Sequence, residues 1–166
     1  MAVITFGGTP TKTSGELPKV GTKAPDFRLS SLDLSSKSLN DYKGKKIIMN
    51  IFPSVGTGVC ATSVRKFNEM ASSFNNTTVL CISRDLPFAQ KEFCAAQGLN
   101  NVEMLSDYRD RSFGENYGVN MLESAFEGLL ARAIVILNED GNVMYNELVP
   151  EIGQEPNYEA ALNALH

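Results

Sequence analysis

The sequence predicts an α/β protein: a three-layer sandwich around a central mixed sheet, with a β-hairpin at the N-terminus. Two observations lead to this prediction. From Lys23 onward, apolar runs of strand length alternate with amphipathic helices. A strand–turn–strand pattern and a final helix then follow them, as in sandwiches with a mixed sheet. The length of 166 residues suits one domain, so we expect residues 1–166 to form a single unit.

Five segments read as strands of the hairpin and of the first part of the sheet. VITFGG, at residues 3–8, and a second short strand near residues 11–12 predict a hairpin over the Gly-Gly pair. Residues 46–52 are almost continuously apolar, which is typical of a central strand buried on both faces. Thr77–Ser83 predicts a second buried strand, and residues 102–105 predict a short one.

Two helices are expected between these strands. Residues 60–74 carry Val64, Phe67, Ala71 and Phe74 at spacings of three and four, which predicts an amphipathic helix. Pro87–Gln97 predicts the second, because the proline lies in the first turn and Gly98 occupies a C-terminal cap position.

The C-terminal part predicts a second hairpin and a closing helix. Ala133–Leu137 and Val143–Leu148 flank the sequence NEDGN, whose Asp-Gly pair favours a tight turn. Residues 157–165 follow Pro156 and predict the last helix.

Composition and charge exclude several function classes. The net charge is −4, with 43% hydrophobic and 20% charged residues, so no basic stripe points to nucleic acid or to an anionic membrane. The only histidine, His166, is the last residue, which argues against hydrolases that need a held imidazole. Three cysteines cannot make a Cys₄ zinc site, so we expect neither a metal nor another cofactor.

The sequence also predicts a cytoplasmic protein. The first sixteen residues lack the basic start, the apolar core and the cleavage site of a secretory signal. No apolar run approaches the length that crosses a bilayer. Cysteines in the cytoplasm tend to stay reduced unless they have redox or catalytic roles.

The segment NIFPSVGTGVCATSVR, at residues 50–65, carries the candidate chemistry. A buried strand ends at Phe52, a loop with two glycines follows, and a helix is expected to begin near Cys60. Free N–H groups and the positive end of the helix dipole favour a thiolate in the first helical turn. Arg65, a little more than one turn further along, is a possible additional positive charge.

Each candidate residue also has a purely structural interpretation. Cys60 and Cys94 can also be interpreted as small buried residues, and Thr57 as a helix cap. Arg132, at the start of an apolar strand, suits an edge residue that reaches solvent. Cys81 lies inside the apolar run VLCIS and is interpreted as core, with a backup resolving thiol as the alternative.

The pattern Pro53-x-x-x-Thr57-x-x-Cys60 resembles the peroxidatic motif of the peroxiredoxins. The longer string PSVGTGVCATSVRKFN is similar to the thiol peroxidase branch, the atypical two-cysteine peroxiredoxins of bacteria, and the resemblance extends over the whole chain. It implies a thioredoxin-like fold, a homodimer with its interface near the active-site loops, and a peroxidase. Such an enzyme reduces hydrogen peroxide and organic hydroperoxides and is recycled by thioredoxin.

The resemblance also implies a role for five residues. Cys60 is the peroxidatic nucleophile, and Thr57 hydrogen-bonds its sulfur and the peroxide. Pro53 shields the site from water, and Arg132 stabilises the thiolate. Cys94 is the resolving cysteine, which forms an intramolecular disulfide with the sulfenic acid of Cys60.

One position departs from the family pattern, and two other functions stay open. The family usually has Asp before the threonine, where this chain has Gly56, which puts the rate and the order of the loop in doubt. The first alternative is a thiol–disulfide oxidoreductase, although Ser63 stands where a Cys-x-x-Cys motif needs its second cysteine. The second is a peroxide-sensing switch protein.

Five apolar residues have three possible interpretations, as a surface for bulky substrates, as core or as a dimer interface. They are Met121, Leu122, Phe126, Leu129 and Leu130.

Overall fold

A seven-stranded mixed sheet and a separate hairpin organise the chain, in a computed structural model that describes all residues from Met1 to His166. The hairpin consists of β1 (Val3–Phe6) and β2 (Thr9–Lys12). The strands of the sheet are β3 (Leu29–Ser30), β4 (Ser36–Lys37), β5 (Lys46–Ile51), β6 (Thr77–Ser83), β7 (Glu103–Ser106), β8 (Ala133–Leu137) and β9 (Val143–Leu148). Their order across the sheet is β4-β3-β7-β6-β5-β8-β9.

Four α-helices and one 3₁₀-helix complete the secondary structure. They are α1 (Gly58–Ala71), α2 (Pro87–Gln97), α3 (Ser112–Asn116), α4 (Tyr158–Ala164) and the 3₁₀-helix Leu39–Tyr42. The longest, α1, has 14 residues. None of the helices combines the length and the apolar character needed to cross a membrane.

Strand direction determines which loops meet at one edge of the sheet. β5, β6 and β7 run parallel, and β8 runs antiparallel to β5 with Ile51 opposite Ala133. The carboxyl ends of the three parallel strands and the amino end of β8 therefore lie at the same edge. The loops that follow β5 and β6 and the residue that precedes β8 meet there, which is the usual place for a functional site in an α/β sheet.

Alternating side chains of the sheet feed two cores, one on each face. On one face, Phe67 of α1 and Ala161 of α4 pack against Ile48 and Ile134 of the sheet. On the other face, Phe113 of α3 and Tyr42 of the 3₁₀-helix join Met49 in the larger cluster. Helices, sheet and the mixed layer of α3, hairpin and loops form the expected three-layer α/β arrangement.

The predicted strands and helices are found, and four short elements were not predicted. Thr77–Ser83, Pro87–Gln97, Ala133–Leu137 and Val143–Leu148 have the predicted bounds. α1 begins and ends two to three residues earlier than predicted, because Thr57 and not a later residue provides the N-cap. β3, β4, α3 and the 3₁₀-helix were not predicted, since elements of two to five residues show no periodicity.

The N-terminal hairpin docks along the segment that follows β9. Gly7 and Gly8 form its turn with positive φ angles of 58° and 84°, as the Gly-Gly pair predicts. Thr5 accepts a backbone hydrogen bond from Ile152 and donates one to Pro150, at 2.9 Å and 2.8 Å. These bonds pair β1 with the segment that follows β9 and fix the hairpin to the body of the protein.

Gly118 is the glycine whose replacement we expect to cost most. Its φ is +68°, and a Cβ atom there would lie 2.5 Å from the Glu16 carbonyl oxygen. The Gly118→Ala substitution is expected to lower the free energy of unfolding by about 2 kcal/mol or more, since strain and overlap act together. Chemical denaturation followed by circular dichroism measures the change.

Gly44→Ala is the matched control for this prediction. Gly44 also has a positive φ, of +84°, but a Cβ atom there would meet nothing within 4 Å. Only the backbone cost of about 1 kcal/mol is therefore expected. Equal losses in the two variants would contradict the close approach at Gly118.

Candidate active site

Cys60 lies in the first turn of α1, directly after the loop that follows β5. Thr57 is the N-cap of the helix, and its side-chain oxygen accepts a hydrogen bond from the backbone N–H of Cys60 at 3.4 Å. The first N–H groups of a helix have no partner within the helix, so they and the helix dipole favour negative charge at this sulfur. Cys60 is fully buried, while Gly56 on the loop and Gly58 at the start of α1 are exposed.

The Cys60 sulfur faces the guanidinium of Arg132. Nη1 of Arg132 donates to Sγ at 3.4 Å. Nε and Nη2 both donate to the carbonyl oxygen of Ile152, at 3.0 Å and 2.8 Å. The carbonyl therefore holds one edge of the guanidinium and turns the remaining nitrogen toward the sulfur.

Arg132 is a buried cation without a carboxylate partner. Its side chain is among the largest fully enclosed ones, and the residue is 2% exposed. The only two ion pairs of the structure are Arg28–Asp110 and Arg84–Asp107. A buried charge is costly unless it is paired, and the Cys60 sulfur is the group that the remaining donor nitrogen of this guanidinium meets. The alternative interpretation of Arg132 as an edge residue in solvent is wrong.

Asp85 fixes the loop before Cys60, and sequence reasoning missed it. Its carboxylate accepts hydrogen bonds from the Ser54 hydroxyl at 2.7 Å, from the Val55 N–H at 2.9 Å and from the Ser83 hydroxyl at 2.6 Å. The signal was present in the sequence, because Asp85 follows β6 just as the Cys60 loop follows β5. Parallel neighbouring strands bring such residues together.

Hydrogen bonds between buried polar side chains link α1 to β5 and β6. The Ser63 hydroxyl donates to the Cys60 carbonyl at 2.8 Å, and the Asn50 amide donates to Ser63 at 3.3 Å. The same amide approaches the Cys81 sulfur at 3.8 Å. Ser63 thus has a structural role at the position where a second cysteine of a Cys-x-x-Cys motif would lie.

The remaining two cysteines lie in different surroundings. Cys81 is fully buried in β6, and burial raises the pKa of its thiol to about 12, in keeping with its interpretation as core. Cys94 lies on α2 and is half-buried, and burial raises the pKa of its thiol as well. None of the three cysteines, Cys60 included, forms a disulfide in this structure. Pro53, at the end of the strand, is buried beside the loop.

One expected contact with the sulfur is not found, and the additional positive charge makes no direct contact with it. Arg65 donates to the Thr62 hydroxyl at 3.2 Å and makes no hydrogen bond to Cys60, so any contribution of its charge would act at a distance. The Thr57 side chain forms hydrogen bonds with backbone groups only, since its hydroxyl also donates to the Ser54 carbonyl at 3.3 Å. In this structure its bond is to the N–H of Cys60 and not to Sγ.

Gly56, the departure from the family pattern, takes part in the hydrogen bonds of the loop. Gly56 is exposed, does not have a positive φ, and donates its N–H to the Ser54 hydroxyl at 3.0 Å. A Cβ atom there would meet Ser54 at 3.4 Å, an ordinary contact, so the backbone does not require glycine. Because Ser54 is itself bound by Asp85, the loop keeps its shape without a side chain at position 56.

The apolar group near residue 125 belongs mostly to the core. Met121 and Leu130 are buried in the larger cluster, and Phe126 packs edge-on against Phe6 at 4.8 Å between ring centroids. Leu122, at 40%, is the exposed member. The interpretation as core is therefore correct for Met121 and Leu130 and partly for Phe126, while Leu129 is half-buried.

Comparisons with known proteins find relatives that match almost the whole chain. The Redoxin family model matches residues 19–162. The chain is 58% identical to a thiol peroxidase of Mycobacterium tuberculosis over 99% of both chains, and 53% identical to one of Corynebacterium glutamicum over the full length of both. Among solved structures, it is similar to a peroxiredoxin-like protein of Aquifex aeolicus. That match has a TM-score of 0.94 and 39% identity, and covers 99% of this chain and 96% of that one.

A thiol peroxidase of Chromobacterium violaceum shares the fold, with a TM-score of 0.91 at 21% identity over 98% of this chain and 94% of that one. The α/β sandwich with its N-terminal hairpin is therefore the thioredoxin-like fold that the resemblance implied. Sequence and structure together lead to one conclusion: the chain belongs to the Redoxin family, and within it to the thiol peroxidases.

Proposed function

We propose that this protein is a thiol-dependent peroxidase that reduces hydrogen peroxide and organic hydroperoxides to water and alcohols in antioxidant defence. The observation that carries the proposal is the Arg132 guanidinium, buried without a carboxylate and directed at the Cys60 sulfur at 3.4 Å. A cation placed this way stabilises the thiolate, which is the reactive form of cysteine.

The reaction is a substitution at oxygen. The Cys60 thiolate attacks one peroxide oxygen, so that an S–O bond forms and the O–O bond breaks. The sulfur is oxidised to a sulfenic acid, and the other oxygen leaves as hydroxide or alkoxide and takes up a proton. Fixed donors that face the developing charge lower the barrier to such a step. Arg132 and the first N–H groups of α1 supply them, and the Thr57 hydroxyl reaches the peroxide after a rotation about its Cα–Cβ bond. Pro53 keeps bulk water away.

Cys94 completes the oxidative half of the cycle. Its thiol attacks the Cys60 sulfenic acid, which gives an intramolecular disulfide and one water. The two cysteines lie on separate helices, and a disulfide needs their Cα atoms within about 7 Å, so the first turn of α1 and part of α2 unravel for this step. A thioredoxin-like dithiol protein then supplies two electrons and restores both thiols.

The alternative functions have less support. A thiol–disulfide oxidoreductase needs a second cysteine beside Cys60, and Ser63 at that place holds the helix by hydrogen bonds. A peroxide-sensing switch protein would use the same sulfur, so the rate of turnover separates it from a peroxidase. Slow turnover combined with partner binding that follows oxidation would favour the sensor.

The setting of the cycle completes the proposal. A dithiol reductant requires a reducing compartment, which supports a cytoplasmic location. We also infer a homodimer with its interface near the active-site loops. Leu86 and Phe88, at the start of α2, are 52% and 68% exposed and directly follow Asp85, which binds the Cys60 loop. Sedimentation equilibrium measures the oligomeric state.

The Cys60→Ser variant is expected to lose peroxide consumption in an assay with thioredoxin and its reductase. A serine hydroxyl does not ionise at neutral pH and forms no sulfenic acid. Cys81→Ser is the matched control and is expected to keep most of the activity, because Cys81 lies in the core. Survival of activity in the Cys60 variant would refute the assignment.

Removal of the guanidinium is expected to slow the oxidation of Cys60. Arg132→Met deletes the donor to the sulfur, and the loss of one such donor typically costs about 10²-fold in rate. Stopped-flow measurement of the reaction with hydrogen peroxide gives the rate constant. Arg65→Met removes an arginine from the same region without touching the sulfur, and a rate close to that of the unchanged protein is expected. Equal losses in the two variants would mean that general positive charge, and not the contact, matters.

One equivalent of peroxide is expected to produce a Cys60–Cys94 disulfide, identified by mass spectrometry of proteolytic peptides. In Cys94→Ser, Cys60 is expected to stop at the sulfenic acid and to proceed to the sulfinic acid with excess peroxide. A bridge to Cys81 in the unchanged protein, or only intermolecular bridges, would contradict the resolving role of Cys94.

A further inference from the structure

The N-terminal hairpin holds the backbone group that aims Arg132. β1 lies against the segment from Val149 to Ile152, which follows β9. The Ile152 N–H donates to the Thr5 carbonyl at 2.9 Å, and the Thr5 N–H donates to the Pro150 carbonyl at 2.8 Å. The carbonyl of the same Ile152 accepts both hydrogen bonds from Arg132. One peptide segment is thus fixed by the hairpin on one side and holds the guanidinium on the other.

The Glu151 side chain reinforces this contact. Its Oε1 accepts hydrogen bonds from the Thr5 hydroxyl at 2.9 Å and from the Gly8 N–H at 2.8 Å. Its Oε2 accepts one from the Gly153 N–H at 2.8 Å. The carboxylate therefore joins the strand and the turn of the hairpin to both neighbours of Ile152 in the chain. These bonds, with that of the Gly153 N–H contributing most, lower the pKa of Glu151, so the group is ionised at neutral pH.

The segment also binds the backbone of Arg132. The Val149 N–H donates to the Arg132 carbonyl at 3.0 Å, so the main chain of the arginine is fixed at the edge of the sheet. The direction of the Arg132 side chain is then determined by the contacts of its guanidinium. Two of its three donor contacts go to the Ile152 carbonyl, and the third goes to the Cys60 sulfur. A displacement of that carbonyl turns the guanidinium away from the sulfur.

We propose that Thr5 and Glu151 are positioning residues of the active site, through which the N-terminal hairpin orients Arg132 toward Cys60. The inference rests on the proposed peroxidase function for its kinetic consequence. The hairpin is then a support for the guanidinium, besides covering the larger core with Ile4. Neither residue touches the sulfur or the peroxide.

The test compares Glu151→Ala with Glu151→Gln in the full-length protein. Glu151→Ala removes all three side-chain contacts and is expected to slow the oxidation of Cys60 by hydrogen peroxide about tenfold, as small displacements of catalytic groups do. Glu151→Gln keeps one acceptor oxygen for Thr5 and Gly8 and is expected to restore most of the rate. Ultraviolet absorbance of the thiolate, followed against pH, is expected to show that Cys60 ionises at higher pH in the alanine variant.

Two further variants guard against trivial outcomes. Thr5→Val removes one hydroxyl and leaves the backbone bonds, so it is expected to fold and to lose about threefold in the oxidation rate. Glu139→Ala changes an exposed carboxylate in the β8–β9 turn and is expected to behave like the unchanged protein. A lowered melting temperature with an unchanged oxidation rate and thiolate titration would overturn the proposal, because the hairpin would then be purely structural. Absence of peroxide consumption in the unchanged protein would instead refute the proposed function, and the thiolate titration would still test the positioning.

Discussion

A positive charge enclosed in the protein is the constraint around which the candidate site is built. Arg132 is 2% exposed and meets no carboxylate, so its guanidinium depends on the Ile152 carbonyl and the Cys60 sulfur. The pairing of β8 with β5 brings the arginine to the edge of the sheet where the Cys60 loop begins. The N-cap at Thr57 then places the cysteine in the first helical turn. The sheet register, the loop and the start of the helix together determine the contact of 3.4 Å between Nη1 of Arg132 and Sγ of Cys60.

The loops at this edge are joined to one another by polar contacts. Asp85, which follows β6, binds the backbone and the hydroxyl of the loop that follows β5. The same residue precedes α2, the helix of Cys94. The loop of the attacking sulfur and the base of the helix that carries its proposed partner are therefore fixed to a single carboxylate. Release of this carboxylate would loosen both elements together.

The sequence predicts the long elements well because burial on both faces leaves continuous apolar runs, as in β5 and β6, and because helix termini carry caps. It misses β3, β4 and α3, which are too short for a period and exist through tertiary contacts. Cys60, Thr57, Pro53, Arg132 and Cys94 were assigned through the family resemblance, and the residues alone left structural alternatives open for the cysteines, Thr57 and Arg132. The burial of Arg132 excludes its interpretation as a residue that reaches solvent, and Arg65 makes no hydrogen bond to the sulfur. The Ile152 carbonyl was out of reach for sequence reasoning, since a backbone oxygen leaves no trace in residue type.

The missing carboxylate beside Arg132 has a consequence for the timing of the proposed cycle. While Cys60 is a thiolate, the guanidinium has a counterion and the enclosed arrangement is electrically balanced. Conversion of the sulfur to a sulfenic acid removes that negative charge and leaves a solitary cation in a low-dielectric interior, which is costly. The product of the first step thus weakens the packing that made the step possible, and favours the unravelling that Cys94 needs. In the proposed cycle, oxidation of Cys60 by the peroxide is therefore itself what favours the opening of the site.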